Sequence, residues 1–209
     1  MSFSRELNAS QHAAVLRILS DKDSDRVVMI QGPPGTGKTT IIAASVVSHD
    51  HANSSQRIWV AAQSNVAVKN IAEKFIKEGF HGFKLLVSKD FHYDWWVIMP
   101  ACTLFLRFHR HEHLYEELEP RLIRSDDFKK SPVEASRQLL DCKVILCTLS
   151  MFSNPMAHVY IRVHPVKMLI LDEASQIECG DYLPIFHLFR STLSKLVLIG
   201  DDKQRDLFP

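Results

Sequence analysis

The sequence predicts an α/β fold, a parallel sheet with helices covering both faces. Three observations carry this expectation: five short Val/Ile/Leu-rich runs, helical patterns between most of them, and a glycine-rich loop joining the first run to a helix. With 209 residues the chain suits one elaborated domain. We expect a core over 1–80 and 141–209 and a mainly helical insertion over 81–140.

Asn8 opens a helical pattern with Val15, Leu16, Ile18 and Leu19 on one side, and Asp21 to Asp25 form a charged turn. Arg26 to Ile30 reads as a short buried strand, followed by a loop and a helix over Thr39 to Ser48. Ile58 to Ala62 is a second strand, and Ser64 or Asn65 can cap the next helix. In that helix Val68, Ile71, Ala72, Phe75 and Ile76 form one apolar stripe, ended by Gly79 and Gly82. From His81 to Asp141 the alternation lapses. Ser131 to Glu134 there combines a capping box with proline at the first helical position. The rhythm returns with strands at Lys143 to Thr148, Val166 to Leu171 and Lys195 to Ile199.

Composition excludes several classes. Apolar residues are 46% and charged residues 23%, ordinary for a globular protein and unlike a disordered one. Lys plus Arg is 25 against 24 for Asp plus Glu, so nucleic-acid binding would need local contacts rather than a basic field. The four cysteines form no C-x-x-C pair, which favours reduced, intracellular thiols over a disulfide framework. The N-terminal residues lack the apolar run of a signal peptide. The longest apolar stretch, Trp95 to Leu106, is 12 residues, short of the roughly 20 that span a bilayer. No membrane partner is expected.

The chemistry concentrates in a few places. Gly32, Pro33, Pro34, Gly35, Thr36, Gly37, Lys38 and Thr39 fit G-x-x-x-x-G-K-[ST] between a strand and a helix, the setting that motif requires. Its glycines turn backbone N–H groups toward phosphate oxygens, Lys38 reaches the β- and γ-phosphates, and the Thr39 hydroxyl ligates Mg²⁺. Thr40 extends this nucleotide-binding set into the helix N-terminus. Asp172 and Glu173 end an apolar strand downstream of that loop. Asp172 is expected to hold Mg²⁺ through water, and Glu173 to act as general base on the attacking water. His109, His111 and His113 alternate, but no partner lies at zinc-ligand spacing, so a solvated basic run is the reading. For Trp95 to Arg110 three readings stay open: a packed helix, a nucleic-acid-facing patch, or sequence extraneous to the domain.

Asp172-Glu-Ala-Ser-Gln176 together with Gly200-Asp-Asp-Lys-Gln204 resembles motifs II and III of superfamily 1 helicases, within the DNA-replication, nonsense-mediated-decay and senataxin-like group. The resemblance implies a RecA-like P-loop NTPase fold, ATP and Mg²⁺ as cofactors, and single-stranded RNA or DNA as partner. It implies that Gln204 contacts the γ-phosphate and joins Lys38 and Glu173 in catalysis. Leu7 to Gln11 resembles the family's Q motif, in which the glutamine reads adenine, although Asn8 and Gln11 also make a helix-capping pair. Val60 to Val68 resembles motif Ia and Cys147 to Ser150 motif Ib, which assigns Ser64, Asn65 and Thr148 to nucleic-acid backbone contacts; ordinary helix caps are the other reading. The P-loop strand is expected beside the motif III strand.

After Gln204 the family commonly continues Leu-Pro-Pro, whereas this chain reads Arg205-Asp-Leu-Phe-Pro209. The second RecA-like domain, with its arginine fingers, is absent from the 209 residues. The expectation is therefore an ATP-binding half that is weak or inactive alone, in a nuclear or cytoplasmic setting. Two other classes stay open, an ATP-responsive interaction module without translocation and a different P-loop phosphotransferase. The paired DEASQ and GDDKQ disfavour the second.

Overall fold

The computed structural model describes residues 6–52, 56–89, 91 and 116–201. Helix α1 (Ala9–Leu19) is followed by strand β1 (Val27–Gln31), helix α2 (Lys38–His51), strand β2 (Ile58–Ala62) and helix α3 (Asn65–Lys77). Strands β3 (Phe83–Val87) and β4 (Leu122–Arg124), helix α4 (Pro132–Gln138) and strand β5 (Val144–Thr148) come next. Helix α5 (His158–Val163), strand β6 (Met168–Asp172), helix α6 (Cys179–Phe189) and strand β7 (Lys195–Gly200) complete the described fold.

Among the described residues the strands form one seven-stranded sheet in the order β1-β7-β6-β2-β5-β3-β4. Every pairing is parallel. Central strands β2 and β6 are buried at every position, which explains their unbroken apolar runs: both faces are covered, so no polar alternation survives. Within each strand, alternate residues feed opposite cores. Ile58, Val60 and Ala62 pack with Ile42, Val46, Ile71 and Phe75 of α2 and α3. Trp59 and Ala61 pack on the other face with Leu139, Tyr160, Ile185 and Phe189. Strand β1, at the sheet edge, behaves differently, with Val28 buried and Val27 and Met29 exposed.

All five expected strands are present, and β1 does neighbour β7. The stretch expected to be mainly helical holds helix α4, and strands besides. Its described part contributes two strands, β3 and β4, which extend the sheet beyond β5. Strand β3 starts directly after Gly82, a residue that sequence reading spends on ending α3. Three-residue β4 is too short to show any period. The neighbouring strand supplies the hydrogen bonds that these segments lack locally. The capping box at Ser131 is also absent: α4 has proline in its first turn, but the Ser131 side chain makes no cap bond. Residues 95–110, including His109, and His111 and His113 beyond them, lie outside the described residues.

Helix α1 is pinned at both ends, which matters for the site. At its C-terminus Lys195 of β7 donates from Nζ to the carbonyls of Arg17 and Ser20, at 2.8 and 2.5 Å. Carbonyls at a helix C-terminus lack regular intrahelical partners; that of Arg17 accepts a long 3.4 Å bond from the Ser20 N–H, and the lysine supplements it and serves that of Ser20. The helix N-terminus is thereby directed to the opposite end of the strands. No described helix is long and apolar enough to cross a membrane. Among the described cysteines, Cys142, Cys147 and Cys179 are free thiols, the first two buried.

Candidate active site

The strand order creates the site. The chain leaves β1 for β2 across two places in the sheet, and β6 and β7 return later to fill them. A crevice at the C-terminal strand ends is the expected result of such a reversal. The loop after β1 and the acids after β6 thus lie on either side of the end of β7. There the N–H of Gly32 donates to the carbonyl of Gly200 at 3.0 Å.

The loop is shaped by its own side chains. Thr36 donates from Oγ1 to the Pro33 carbonyl at 2.8 Å, closing the turn. Gly35 and Gly37 have φ of 81° and 86°, a left-handed conformation costly for other residues. A Cβ at Gly32 would stand 2.6 Å from Thr36 Oγ1. Gly37 is the N-cap of α2, so Lys38 opens the helix and Thr39 and Thr40 lie in its first turn. Lys38 Nζ donates to the carbonyls of Gly32 (2.6 Å) and Pro33 (3.2 Å), reaching back across the loop interior. Pro33, Pro34, Gly35 and Thr36 form an exposed crest over it.

Gln11 fills the capping role expected of it and makes a second, loop-directed bond. Asn8 accepts from the Gln11 N–H at 2.8 Å while Gln11 Oε1 accepts from the Asn8 N–H at 3.1 Å, a complete capping box. The Gln11 Nε2 then donates to the Thr36 carbonyl at 2.9 Å. The side chain therefore ties α1 to the loop, and a Cβ at Gly37 would meet that same Nε2 at 2.6 Å.

Asp172 ends β6 and is 6% exposed. Burial pushes its carboxyl above the usual carboxylate range; the Glu173 N–H, donating to Oδ1 at 2.9 Å, and the charge of Lys38 oppose that shift. Glu173 has φ 55°, left-handed backbone in a non-glycine residue. This turns the chain out of the sheet into the short 3₁₀ turn Ala174–Gln176. Such outliers persist only where neighbours hold them, and they gather at functional sites. Here Tyr182 donates to the Ala174 carbonyl at 2.8 Å, and Ser175 Oγ accepts from the Asp201 N–H at 3.1 Å.

Parallel register aligns the remaining residues. Ala62 pairs with Asp172 on one side and with Thr148 on the other, so the ends of β6, β2 and β5 form one row. Ser64 and Asn65 lie two and three residues after Ala62, and Ser64 caps α3 by accepting from the Ala67 N–H at 3.1 Å. The Thr148 and Ser150 hydroxyls are 2.9 Å apart at the start of the 3₁₀ turn Leu149–Ser153. Gln204, the expected γ-phosphate contact, lies outside the described residues, as does Arg205.

Two links were not legible in the sequence. Ser64 Oγ lies 3.2 Å from Glu173 Oε2, joining the turn after β2 to the turn after β6. Gly200 is fitted against Ser175, whose backbone nitrogen a Cβ would approach to 2.9 Å. Ser64, Glu173, Ser175 and Gly200 each lie in a motif of the sequence, but nothing in the sequence pairs them.

The residues present fit a magnesium nucleotide. The loop holds left-handed glycines under an open crest, a lysine in its interior and a helix start, with a buried carboxylate across the end of β7. A family model described as an AAA domain matches residues 6–89 and 108–205. The chain is 30% identical over 213 residues to a regulator of nonsense transcripts 1 homolog of Neurospora crassa, covering 95% of this chain and 18% of that protein. It is 30% identical over 222 residues to the ATP-dependent helicase upf1 of Schizosaccharomyces pombe, covering 95% of this chain and 22% of that one. The chain thus spans about a fifth of the length of these relatives. Among solved structures, the UvsW helicase of bacteriophage T4 superposes with a TM-score of 0.58 at 13% identity, over 98% of this chain and 56% of the other, a likeness of fold.

Proposed function

Because the chain belongs to the AAA domain family and is a RecA-like helicase domain of the superfamily 1 group, we propose that it is the ATP-binding half of an intracellular helicase acting on single-stranded RNA or DNA. The observation that carries this reading is the convergence at one sheet edge. The phosphate loop after β1 is joined to the end of β7 through Gly32 and Gly200, and the acidic turn that ends β6 is joined to it through Ser175 and Asp201.

When bound, ATP brings the γ-phosphoryl group that water attacks, and Mg²⁺ offsets its negative charge. Gly32 to Gly37 present N–H groups to the phosphates, and Lys38 exchanges its loop carbonyls for β- and γ-phosphate oxygens. Thr39 and, through water, the buried Asp172 would hold the metal, whose charge would favour the ionised carboxylate that burial disfavours. Glu173 takes the proton of the attacking water. Its Oε2 faces Ser64. Gln11 contacts adenine, and Gln204 contacts the γ-phosphate. Asn65 and Thr148, at the ends of β2 and β5, hold backbone phosphates of the strand through amide and hydroxyl groups, with Ser64 in the same turn. The second RecA-like domain supplies the arginines that neutralise the transition state.

Phosphate release tests the reading. The 209-residue chain alone should hydrolyse ATP very slowly and should not unwind a tailed duplex. A matching second domain added in trans should raise nucleic-acid-stimulated release by about 10³–10⁵. Robust stimulated hydrolysis by the chain alone, abolished by Arg205→Ala, overturns the half-site reading.

A further inference from the structure

Ser64 has one proton and a defined acceptor role. Its Oγ accepts from the Ala67 N–H at 3.1 Å, capping α3, and its remaining hydrogen-bond contact is the Glu173 carboxylate at 3.2 Å. A carboxylate offers only acceptors, so the Ser64 hydroxyl donates to Glu173 Oε2. The contact is a consequence of register rather than of a flexible side chain. Ala62 and Asp172 are paired partners, Ser64 follows two residues after one, and Glu173 follows directly after the other. The left-handed φ of Glu173 turns that residue out of the strand, and Ser64 is held by the cap.

We propose that Ser64 is a positioning residue for Glu173: its hydroxyl fixes the carboxylate through Oε2, so that the start of α3 governs the general base. This rests on the reading of Glu173 as general base and adds the route by which the nucleic-acid turn regulates it. A strand held at Asn65 acts on the first residue of α3, one position from the serine that orients the base. Strand contact at this turn is therefore transmitted to the chemical step and not to nucleotide affinity. One short side chain spans the two functions.

The test measures phosphate release from radiolabelled ATP by the full chain supplemented in trans with a matching second RecA-like domain, over a range of ATP concentrations, with and without a single-stranded oligonucleotide. Ser64→Ala removes both the cap and the donated proton. Ser64→Asp keeps a cap acceptor and removes the proton, whereas Ser64→Thr keeps both. A charge-assisted donor of this kind is worth roughly ten-fold in rate. The expected result is a kcat roughly ten-fold lower for Ser64→Ala and Ser64→Asp, with KM for ATP unchanged and oligonucleotide stimulation lost. Ser64→Thr should restore most of the rate and keep the melting temperature, which should fall for Ser64→Ala through loss of the cap and for Ser64→Asp through repulsion between its carboxylate and that of Glu173. A wild-type kcat in Ser64→Asp, a raised kcat in either variant, or a KM change without a kcat change overturns the proposal. Glu173→Gln in the same assay separates the two layers. If it abolishes release while Ser64→Asp does not alter it, the positioning role fails and the base stands; if Glu173→Gln is as active as wild type, the base assignment itself fails.

Discussion

Replacing Gly200 by alanine adds a single methyl group where the end of β7 meets the acidic turn. The new Cβ would stand 2.9 Å from Ser175 N, 3.1 Å from its Oγ and 3.2 Å from its Cβ. The first of these is backbone, and it is roughly half an ångström inside ordinary contact. The turn after Asp172 must move, since no rotamer of Ser175 relieves a clash with its own nitrogen. Overpacking of this size costs about 1–3 kcal/mol. Displacing Ser175 also loosens its bond to the Asp201 N–H, worth about 1 kcal/mol. The sum, about 2–4 kcal/mol, is a large part of the roughly 5–15 kcal/mol that stabilises a domain. In urea, with a slope of about 1–3 kcal/mol per molar, the unfolding midpoint should fall by about 1–2 M. Gly180→Ala is the control: nothing lies within 4 Å of its added Cβ, and it sits in α6, so stability should hold or rise slightly. If Gly200→Ala unfolds at the wild-type midpoint, the β7 end and the acidic turn are not packed rigidly, and the coupling argued for them fails.

Lys38→Ala should greatly weaken Mg·ATP binding, because it removes the charge placed inside the phosphate loop; equal affinity in a fluorescent-nucleotide titration would refute this. Burial, then the charge of Arg57, pushes His164 from its ordinary 6.5 down to about 4. Between those values the unfolded chain binds a proton that the folded chain does not, so this contribution is intact above about pH 6.5 and falls as pH drops toward 4, by up to roughly 3 kcal/mol. Urea unfolding at pH 7.5 and 5 should show the loss, and equal stability at both would contradict it. Single-strand binding should be weak, salt-sensitive and indifferent to base sequence, and Asn65→Ala or Thr148→Ala should weaken it further; anisotropy at two salt concentrations tests this, and tight binding at high salt would count against the groove.

The parts of this protein that depend on neighbouring residues in the chain were legible from the sequence. Continuous apolar runs at Ile58–Ala62 and over residues 168–171 mark strands buried on both faces, since a solvated face would require polar alternation. The loop from Gly32 to Thr39 carries its chemistry within eight residues, so its glycines, lysine and hydroxyl can be read without knowing the fold. Tertiary structure decided what meets across distance. Strands β3 and β4 exist because neighbouring strands complete their hydrogen bonds, which no local period announces. Gln11 serves as cap and loop tether together because Lys195 anchors the far end of its helix. Ser64 reaches Glu173 across 109 residues because parallel register places Ala62 beside Asp172. A local pattern specifies the donor and the acceptor; only the order and register of the strands determine which of them share a bond.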